Sequence, residues 1–487
     1  MEQEKLTACI IGAGVGGLAT AIRLAAKGYH VTVFEKAEEP GGKIASFVKD
    51  GYRFDMGPSL FTLPYLIDEL FALHGKKRDD YLKVASLPVA CNYFFSDGTS
   101  LKAWTDKDRF LREVQSVGMD SQRLEEYLAR QSFLYEHTAD FFLFNSIHKV
   151  FAYTGEAGRK SLKALHRLDV FKTMHQRNKK TFKDPRLVQL FDRYATYNGS
   201  DPYRAPATLN MIAHLEHNTG AFFPENGMRG IVMALMKLAK EVGVHFLFDT
   251  EAIGLTTRKK EVTGVRTADC VYPAALVVSN VDITLFYRDI LPREQMFNKL
   301  MRRERSSSAL IFYWGVKLTS RLDVHNILFS KDYQSEFDGL FKTKLLANDL
   351  TVYIFISKKV VNSDAPEGCE NWFVMVNAPE NNGQNWDEET AKAKRIILDK
   401  IREVLQIDLE HYIETERVVT PEDIEIRTGS VNGSLYGHSS NSPMAAFMRH
   451  PNFSRQYRNL FFTGGSVHPG GGIPLCLASA KIVDGLI

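Results

Sequence analysis

The N-terminal part of the chain alternates between strand-like and helix-like patterns of apolar residues. Residues 8–11 form a short continuous apolar run, which is typical of a parallel strand buried on both faces. Apolar residues then recur at helical spacing over residues 18–25, and Gly28 marks the end of that helix. Residues 31–34 predict a second strand, which closes with Glu35. The pattern therefore predicts a strand, a helix and a second strand of an α/β sheet.

Similar patterns predict further elements downstream. An amphipathic helix is predicted over residues 231–242, with strands over residues 244–248 and 277–282. β-branched and aromatic runs predict strands of a second sheet over residues 310–314, 351–355 and 372–376. Two more helices are predicted, over residues 387–405 with Asp387 as N-cap, and over residues 475–487. A chain of 487 residues is long enough for two or three domains.

A glycine-rich turn follows the first predicted strand and contains Gly12, Gly14, Gly16 and Gly17. Glycines in this pattern allow a tight turn, a close approach of the backbone to a pyrophosphate, and packing of the helix on the strand. The helix N-terminus then stabilises the negative charge. Glu35 lies 18 residues beyond Gly17, where an acid accepts hydrogen bonds from ribose hydroxyls and disfavours a 2′-phosphate. The turn therefore predicts a site for NAD or FAD rather than NADP, and the alternative is a glycine turn that binds nothing.

A second glycine-rich turn precedes the C-terminal helix and includes Gly464, Gly465 and Gly472, followed by Ile473. Glycines there let backbone amides approach a ligand, and the helix N-terminus offers them to an anion or a polarised carbonyl. His468 lies in the same turn and is a candidate proton acceptor. The alternative is that its imidazole only shapes the His-Pro-Gly backbone.

Composition and charge narrow the possible functions. The net charge of +3 is too small to indicate nucleic-acid binding. The five cysteines are scattered without a CxxC pair, and the 14 histidines show no metal-binding spacing, so we expect neither a disulfide framework nor a metal site. A reducing cytoplasm fits these cysteines best. No apolar run reaches the ~18 residues of a membrane-spanning helix, so we expect a soluble or membrane-attached protein.

Motifs after the second predicted strand resemble the amine-oxidase-like flavoprotein superfamily. In that superfamily an acid, here Glu35, is followed by a Gly-Gly-basic turn, here ending at Lys43, that meets the flavin diphosphate. Lys43 stands where Arg is commoner. Lysine keeps the positive charge but lacks the planar guanidinium group that can form two parallel hydrogen bonds. The run that includes Gly57, Pro58 and Ser59 also resembles the superfamily. The resemblance implies that this run forms a turn beside the isoalloxazine ring.

The C-terminal pattern Gly-x-x-x-His-Pro-Gly-x-Gly-Ile-Pro resembles the flavin motif of the bacterial phytoene desaturase family, which comprises the carotenoid desaturases and their relatives. Blocks at residues 201–208, 224–229, 433–437 and 449–451 resemble further motifs of that family, with Asn226 in place of a glycine. These blocks follow the family's order and span nearly the whole chain. Within the family, the whole-chain pattern most resembles the 1-hydroxycarotenoid 3,4-desaturases.

The resemblance implies an α/β fold with a discontinuous Rossmann-like FAD-binding domain and a substrate domain that combines a mixed β-sheet with helices. It assigns residues 1–80, 224–290 and 420–487 to the FAD-binding domain, and residues 81–223 and 291–419 to a substrate and membrane-associated domain. The implied cofactor is FAD, without a metal. The implied reaction removes a hydride to the flavin and a proton from an acyclic, 1-hydroxylated carotenoid. We expect a long apolar tunnel ending at the flavin, with few ionisable groups.

Residues 149–183 form a basic segment with ten Lys or Arg against two acids, a local net charge of +8. Within it, Ala164, Leu165, Leu168 and Phe171 fall on one helical face, and an aromatic run lies upstream at residues 141–144. A basic amphipathic stretch beside an aromatic one predicts a membrane-surface patch, which suits a lipid-soluble substrate. The alternative is a solvated helix whose apolar side belongs to the core. We therefore expect a cytoplasmic protein that associates peripherally with the membrane.

Other functions on the same scaffold remain open. They include a phytoene desaturase and a carotenoid oxygenase or isomerase. A prenyl-lipid carrier of the GDP-dissociation-inhibitor type is a non-enzyme alternative, although a carrier would not need both flavin turns. An amine oxidase is a further alternative, and the His-Pro-Gly-x-Gly ending speaks against it. Asp201 and Arg204 are weaker catalytic candidates, which a structural Arg–Asp pair would explain equally well.

Overall fold

The computed structural model describes residues 6–164, 168–169 and 171–487. Its strands, in chain order, are β1 (Thr7–Ile11), β2 (His30–Phe34), β3 (Ala45–Lys49), β4 (Tyr52–Met56), β5 (Val84–Ser86), β6 (Val89–Phe94), β7 (Ser100–Trp104), β8 (Phe222–Pro224), β9 (His245–Leu247), β10 (Gly254–Arg258), β11 (Glu261–Arg266), β12 (Val271–Pro273), β13 (Leu276–Ser279), β14 (Ser308–Val316), β15 (His325–Leu328), β16 (Val352–Ile356), β17 (Glu370–Ala378), β18 (Ile413–Val419) and β19 (Leu460–Phe462).

The α-helices among these residues are α1 (Val15–Ala26), α2 (Tyr65–Ala72), α3 (Lys107–Ser116), α4 (Ser121–Phe144), α5 (Phe151–Thr154), α6 (Glu156–Ala164), α7 (Met174–Thr181), α8 (Pro185–Asp192), α9 (Ile212–His217), α10 (Arg229–Glu241), α11 (Ile283–Leu285), α12 (Glu294–Met301), α13 (Tyr333–Asp338), α14 (Trp386–Leu405), α15 (Pro421–Thr428), α16 (Pro443–Phe447) and α17 (Ile473–Leu486). Within the described part of the chain, no helix has both the length and the apolar character that crossing a membrane requires.

Five strands form a parallel sheet in the order β19-β13-β1-β2-β9. β1 lies in the centre, where Ile10 is opposite Val278 on one side and Val33 on the other. These three side chains are fully or nearly fully buried, because α1, α10 and α17 pack against the sheet. The strands come from three separate stretches of the chain. The predicted α/β fold is confirmed, as are the predicted strand, helix and strand of the first unit.

A second sheet has seven strands in the order β18-β14-β17-β16-β15-β6-β7. Its neighbours pair antiparallel except β15 and β6, which are parallel, so the predicted mixed sheet is confirmed. One face packs Trp314 and Trp372 against Ile397 and Ile401 of α14. The other face belongs to two further cores, one shared with the parallel sheet and one shared with helices α3, α4 and α8. The exact division of the chain into two domains stays a prediction.

The long helix α14 begins one residue before its predicted start, and its predicted N-cap is wrong. Asn385 caps the helix, since its side-chain oxygen accepts a hydrogen bond from the backbone N–H of Glu388 at 3.5 Å. Asp387 lies inside the first turn instead. An acid in that position is still favourable, because it faces the positive end of the helix dipole.

Candidate cofactor and substrate site

The two glycine-rich turns meet at the carboxyl end of the parallel sheet. The first follows β1 and leads into α1, and the second follows β19 and leads into α17. A Cβ atom on Gly16 would lie 3.1 Å from both the Cα and the backbone nitrogen of Gly464. Because any side chain at Gly16 would press on this backbone, glycine lets the turns approach closely. Residues that are far apart in the sequence therefore form one edge of a single site.

The N-terminus of α1 offers backbone N–H groups to a ligand. Gly14 occupies the N-cap position and has no side chain that could accept hydrogen bonds from the first turn. At Gly17 a Cβ atom would overlap the carbonyl oxygen of Gly12, so this glycine keeps the turn tight. Unpaired first-turn N–H groups together with the helix dipole bind anions. The geometry is therefore suitable for a phosphate group.

The side chain of Asn280 lies between the two turns, a role that was not predicted from the sequence. It follows β13, whose neighbours in the sheet are β1 and β19, the strands that lead into the two turns. A Cβ atom on Gly14 would lie 2.7 Å from Asn280 Nδ2, and one on Gly16 would lie 2.7 Å from its Oδ1. The missed signal was the position of a polar side chain at the carboxyl end of a predicted parallel strand, where ligands bind in such sheets.

Glu35 lies directly after β2 and contacts the first turn. Its carboxylate oxygens accept hydrogen bonds from the backbone N–H groups of Ala13 at 2.7 Å and Ala37 at 3.0 Å. The Gly-Gly-Lys turn packs beside it, since Gly41 donates its N–H to the carbonyl oxygen of Ala13 at 3.0 Å. The structure thus brings Glu35 and the Gly-Gly-Lys turn to the same edge as the glycines of the first turn.

Lys43 connects the Gly-Gly-Lys turn to the block at residues 433–437. Its ammonium group donates hydrogen bonds to the carbonyl oxygens of Leu435 at 2.7 Å and Ser434 at 3.4 Å. At Gly57 a Cβ atom would overlap the carbonyl oxygen of Lys43, and the backbone has a φ of +109°. Glycine at that position therefore holds the following turn against Lys43.

Pro58 and Ser59 continue this turn and are both partly exposed. The Ser59 hydroxyl lies 2.6 Å from the hydroxyl of Tyr353 on β16. This contact joins the turn that leaves β4 to the middle of the seven-stranded sheet. The predicted flavin-facing turn therefore lies where the two sheets approach each other.

The second glycine-rich turn is equally crowded. A Cβ atom on Gly465 would lie 3.2 Å from the Cα of Gly471. Gly472 has a φ of +107° and stands at the N-cap position of α17, and Ile473 begins that helix as a buried residue. The backbone N–H of Gly464 donates to the Ser479 hydroxyl at 3.2 Å, which holds the turn on its own helix.

His468 is 3% exposed, and its Nε2 lies 3.1 Å from the carbonyl oxygen of Asn145 at the end of α4. Burial lowers the pKa of His468 to about 3, so the imidazole is neutral at physiological pH. Its own carbonyl oxygen accepts a hydrogen bond from Asn452 at 2.7 Å. These contacts favour the structural alternative for His468, and its role as a proton acceptor stays a hypothesis.

Asp201 and Arg204 do not form the ion pair with each other that the sequence analysis considered. The Arg204 guanidinium binds Glu304, with Nη1 2.8 Å from Oε1. Asp201 instead accepts a hydrogen bond from the backbone N–H of Tyr203 at 2.8 Å, and burial raises its pKa to about 6. Both residues therefore have structural contacts of their own.

A buried polar network beside the seven-stranded sheet was not anticipated from the sequence. Arg193 and Glu216 form an ion pair at 3.3 Å with side chains 7% and 1% exposed. Tyr194 donates to Glu216 at 2.9 Å, Tyr197 donates to its other oxygen, and Arg193 donates to Tyr93. Burial alone would raise the pKa of Glu216, but the Arg193 charge and the phenol hydrogen bonds hold it below its usual value.

A second polar group lies on the sheet face itself. His325 is 2% exposed, its Nδ1 lies 2.8 Å from the Tyr353 hydroxyl, and its ring stacks on Phe355 at 5.3 Å. Burial lowers the pKa of His325 to about 4, so the ring is neutral. Phe373 and Tyr313 extend the same face, which is therefore mostly aromatic around one hydrogen-bonded pair.

These observations describe a cradle of backbone atoms next to an aromatic sheet face. A Cβ atom at Gly14 or Gly16 would collide with Asn280, so these glycines let the two turns close around that side chain. The N-terminus of α1 beside them suits a ligand such as a dinucleotide diphosphate. Within the described residues, no cluster of three or more His, Cys, Asp or Glu side chains could hold a metal ion. The arrangement can position a bound ring against an apolar molecule.

Comparisons with known proteins show the family and the fold of the chain. The sequence profile described as "Flavin containing amine oxidoreductase" matches residues 15–483. The chain is 47% identical to a 1-hydroxycarotenoid 3,4-desaturase from Flavobacterium sp. (strain P99-3), over 99% of this chain and 98% of that protein. It is 32% identical to a 4,4'-diapolycopene oxygenase from Methylomonas sp, over 97% of this chain and 96% of that protein. In fold, it matches the crystal structure of an oxidoreductase from Methanosarcina mazei with a TM-score of 0.65 at 12% identity, over 98% of this chain and 99% of that chain.

Proposed function

The chain belongs to the flavin containing amine oxidoreductase family, and on that premise we propose that it is an FAD-dependent desaturase of acyclic, 1-hydroxylated carotenoids. The observation that carries the proposal is its similarity, over nearly its whole length, to a 1-hydroxycarotenoid 3,4-desaturase. The lower identity to a carotenoid oxygenase makes oxygenation the second candidate.

FAD would be held chiefly by backbone. The turns at residues 12–17 and 464–472 would enclose the diphosphate, with the N-terminus of α1 stabilising its charge. Glu35 lies at the end of β2, within reach of a ribose on the same turn. Lys43 and the turn of Gly57, Pro58 and Ser59 would lie along the rest of the cofactor.

The bound flavin would supply the hydride acceptor for an allylic C–H bond of the polyene. The residues of this chain would position the polyene and exclude water. Tyr353, Phe355 and Phe373 form an aromatic wall suited to a conjugated hydrocarbon. Because hydride loss leaves a cation that the polyene itself delocalises, the protein needs few charged groups at the reacting carbons. The apolar tunnel expected from the sequence stays a prediction.

We also propose that the basic segment, residues 149–183, lies on a membrane surface and receives the substrate there. Several of its apolar side chains are exposed, notably Phe171 at 99%, Val150 at 81% and Phe151 at 56%. Exposed aromatic and aliphatic groups among lysines and arginines are typical of peripheral membrane binding. Leu165 and Arg167, which the helical-face prediction and the charge count include, lie outside the described residues.

Expression in cells that accumulate defined acyclic carotenoids tests the proposal. Each new conjugated double bond shifts the polyene absorption to longer wavelength, and mass spectrometry separates loss of two hydrogens from gain of oxygen. We expect a product two hydrogens lighter from a 1-hydroxylated substrate. An oxygenated product would favour the oxygenase alternative, and desaturation confined to phytoene would favour a phytoene desaturase. Purified protein without flavin absorbance and without any product would favour the lipid carrier.

A chain variant tests the membrane part separately. Phe171→Ser removes the most exposed apolar side chain of the segment, and Ile426→Ser removes one that is 74% exposed on α15 outside it. We expect only the first variant to bind less to vesicles of anionic phospholipid, and added salt to weaken binding of both. Equal vesicle binding by the two variants would remove the support for a membrane role of Phe171.

A further inference from the structure

Three side chains form a line of hydrogen bonds from the predicted flavin-facing turn into the seven-stranded sheet. Ser59 bonds to the Tyr353 hydroxyl at 2.6 Å, and that hydroxyl lies 2.8 Å from His325 Nδ1. The far nitrogen of the ring, His325 Nε2, is buried and has no hydrogen-bond partner among the described residues. The line therefore ends on an unused polar atom.

A buried ring nitrogen without a hydrogen-bond partner is unfavourable in either tautomer of the neutral imidazole. If Nδ1 accepts from Tyr353, Nε2 carries the proton and lacks an acceptor, and if Nδ1 donates, Nε2 lacks a donor. Buried polar atoms nearly always have a partner, so the exceptions call for a water molecule or a ligand. A ligand with a hydroxyl group fits both cases, because a hydroxyl donates and accepts.

The position of the line indicates which ligand. β16 lies inside the sheet, with strands on both sides. Tyr353 is nevertheless partly exposed, on the sheet face where it bonds to Ser59. This face is therefore accessible at Tyr353, whose hydroxyl group bonds to the buried His325 beside the predicted flavin-facing turn. In the Arg193 network the carboxylate and the phenols already bond to one another, so these groups offer less to a ligand. Its unpartnered atoms are Arg193 Nε and His217 Nδ1, and neither belongs to the line that starts at Ser59.

The chemistry of the proposed substrate sets a geometric requirement, and this step rests on the proposed function. In a 1-hydroxylated polyene that is desaturated between carbons 3 and 4, only carbon 2 separates the carbon that bears the hydroxyl from the reacting pair. The group that binds the hydroxyl must therefore lie next to the flavin-facing turn, rather than at the far end of a long tunnel. The Tyr353–His325 pair meets this requirement through Ser59.

We propose that His325 and Tyr353 form the subsite that binds the substrate hydroxyl and thereby determine the preference for hydroxylated over non-hydroxylated polyenes. Tyr353 orients the imidazole through Nδ1, and Nε2 forms the hydrogen bond to the substrate. The aromatic wall binds both kinds of polyene equally, so the pair contributes selectivity rather than the hydride transfer itself.

The test is a competition assay with the flavin-loaded enzyme and an equimolar mixture of an acyclic polyene with and without the hydroxyl at carbon 1. The product ratio reports the ratio of the two kcat/KM values and does not depend on how much of a variant is folded. The variants are His325→Phe, which keeps a flat ring, and Tyr353→Phe, which removes only the hydroxyl.

His217→Phe is the matched control. His217 is 3% exposed, stacks on Phe110 at 5.0 Å, and has an unpartnered Nδ1 among the described residues, but it bonds to Tyr194 rather than to the line from Ser59. The control variant therefore also removes a buried, stacked imidazole, but at a site outside the line of hydrogen bonds from Ser59.

We expect the preference for the hydroxylated polyene to fall about fivefold to tenfold in His325→Phe and Tyr353→Phe, which is the effect of one lost hydrogen bond. The loss should appear as a higher KM for the hydroxylated polyene alone, with the control unchanged. An unchanged ratio in both variants, or an equal fall in the control, would overturn the subsite. A wild-type enzyme that converts both polyenes without preference would also overturn it while leaving the desaturase intact, whereas conversion of neither polyene would refute the proposed function itself.

Discussion

Polar groups at the parallel sheet differ in kind from those at the seven-stranded sheet. Around the first, Gly14 and Gly16 present bare backbone, and the side chain of Asn280 lies between the turns. At the second, the polar atoms belong to buried side chains such as the Arg193–Glu216 pair. A backbone cradle is sensitive to added volume, since a side chain at Gly14 or Gly16 would collide with Asn280 and displace the turns. A buried charge pair is sensitive to subtraction, since removal of one partner leaves the other uncompensated.

Breaking the buried ion pair is expected to have the largest effect. Arg193→Met leaves Glu216 without its cation, which should lower the free energy of unfolding by about 3–5 kcal/mol. Denaturant titration followed by circular dichroism measures this loss. Adding Glu216→Leu should recover part of it, because the double variant no longer buries a lone charge.

An exposed pair provides the control for that comparison. Lys342 and Asp338 form an ion pair with side chains 62% and 41% exposed, so Lys342→Ala should cost about 0–1 kcal/mol. If the Arg193→Met variant were no less stable than Lys342→Ala, burial would not distinguish the two sites. A double variant less stable than Arg193→Met would argue against the charge as the cause.

Adding volume to the backbone cradle should weaken flavin binding, because it forces the two glycine-rich turns apart. Gly16→Val places a side chain against Gly464 and Asn280, at an expected cost of about 1–3 kcal/mol, or about 5- to 150-fold in flavin affinity. Equilibrium dialysis with FAD measures the affinity. Gly485→Ala in α17 is the matched control, since a Cβ atom there meets nothing within 4 Å. Equal flavin affinity of Gly16→Val and the wild type would contradict a cradle at residues 12–17.

Buried histidines near both sheets make the free energy of unfolding sensitive to acid. Burial lowers the pKa of His217 to about 4 and that of His468 to about 3. Because these folded-state values lie below the unfolded value of about 6.5, the unfolded state binds more protons as the pH falls below 6.5. The stability that each residue contributes above that pH is therefore lost on acidification, by about 2 kcal/mol between pH 7 and pH 5.

The slope of unfolding free energy against pH measures this contribution. His217→Phe should flatten the slope by about one proton between pH 6 and pH 5, although it also changes the absolute stability. A slope unaffected by His217→Phe would mean that this imidazole is not held neutral by burial.

The smallest expected effect concerns the cap of α14, outside both sites. Asn385→Ala removes the side chain that caps the helix and should cost about 1 kcal/mol of unfolding free energy. Asp387→Ala removes only a favourable charge in the first turn and should cost about 0.3 kcal/mol of unfolding free energy. Thermal unfolding of the two variants side by side checks the order, and the reverse order would restore Asp387 as the cap.

The backbone cradle could be predicted from the sequence because its chemistry is local. The glycine pattern before α1 and the acid at Glu35 each lie within one strand-turn-helix unit, and the pattern itself states what the backbone must do. Asn385 was missed although it is a good cap residue, because Asp387 is another and lies only two positions away. Pattern alone does not decide between two cap residues this close together.

The side-chain networks could not be predicted in the same way. Arg193 and Glu216 meet only because a short helical segment and α9 pack on the sheet, and Tyr93 joins them from β6. His325 lies opposite Phe355 in the register of β15 and β16, and it bonds to Tyr353, two residues before Phe355. No local pattern encodes this register. A single sequence shows such residues as an ordinary Arg, Glu or His, so their partners appear only once the sheet is assembled.

The most direct test of the whole account is a single-turnover experiment without oxygen. The FAD-loaded protein is mixed rapidly with an acyclic, 1-hydroxylated carotenoid while the flavin and polyene absorption bands are recorded together. The account predicts that the flavin band bleaches at the same rate as the polyene band shifts to longer wavelength, with one flavin reduced for each double bond formed. An oxidised flavin beside an unshifted polyene, or a shifted polyene in protein freed of flavin, would contradict it.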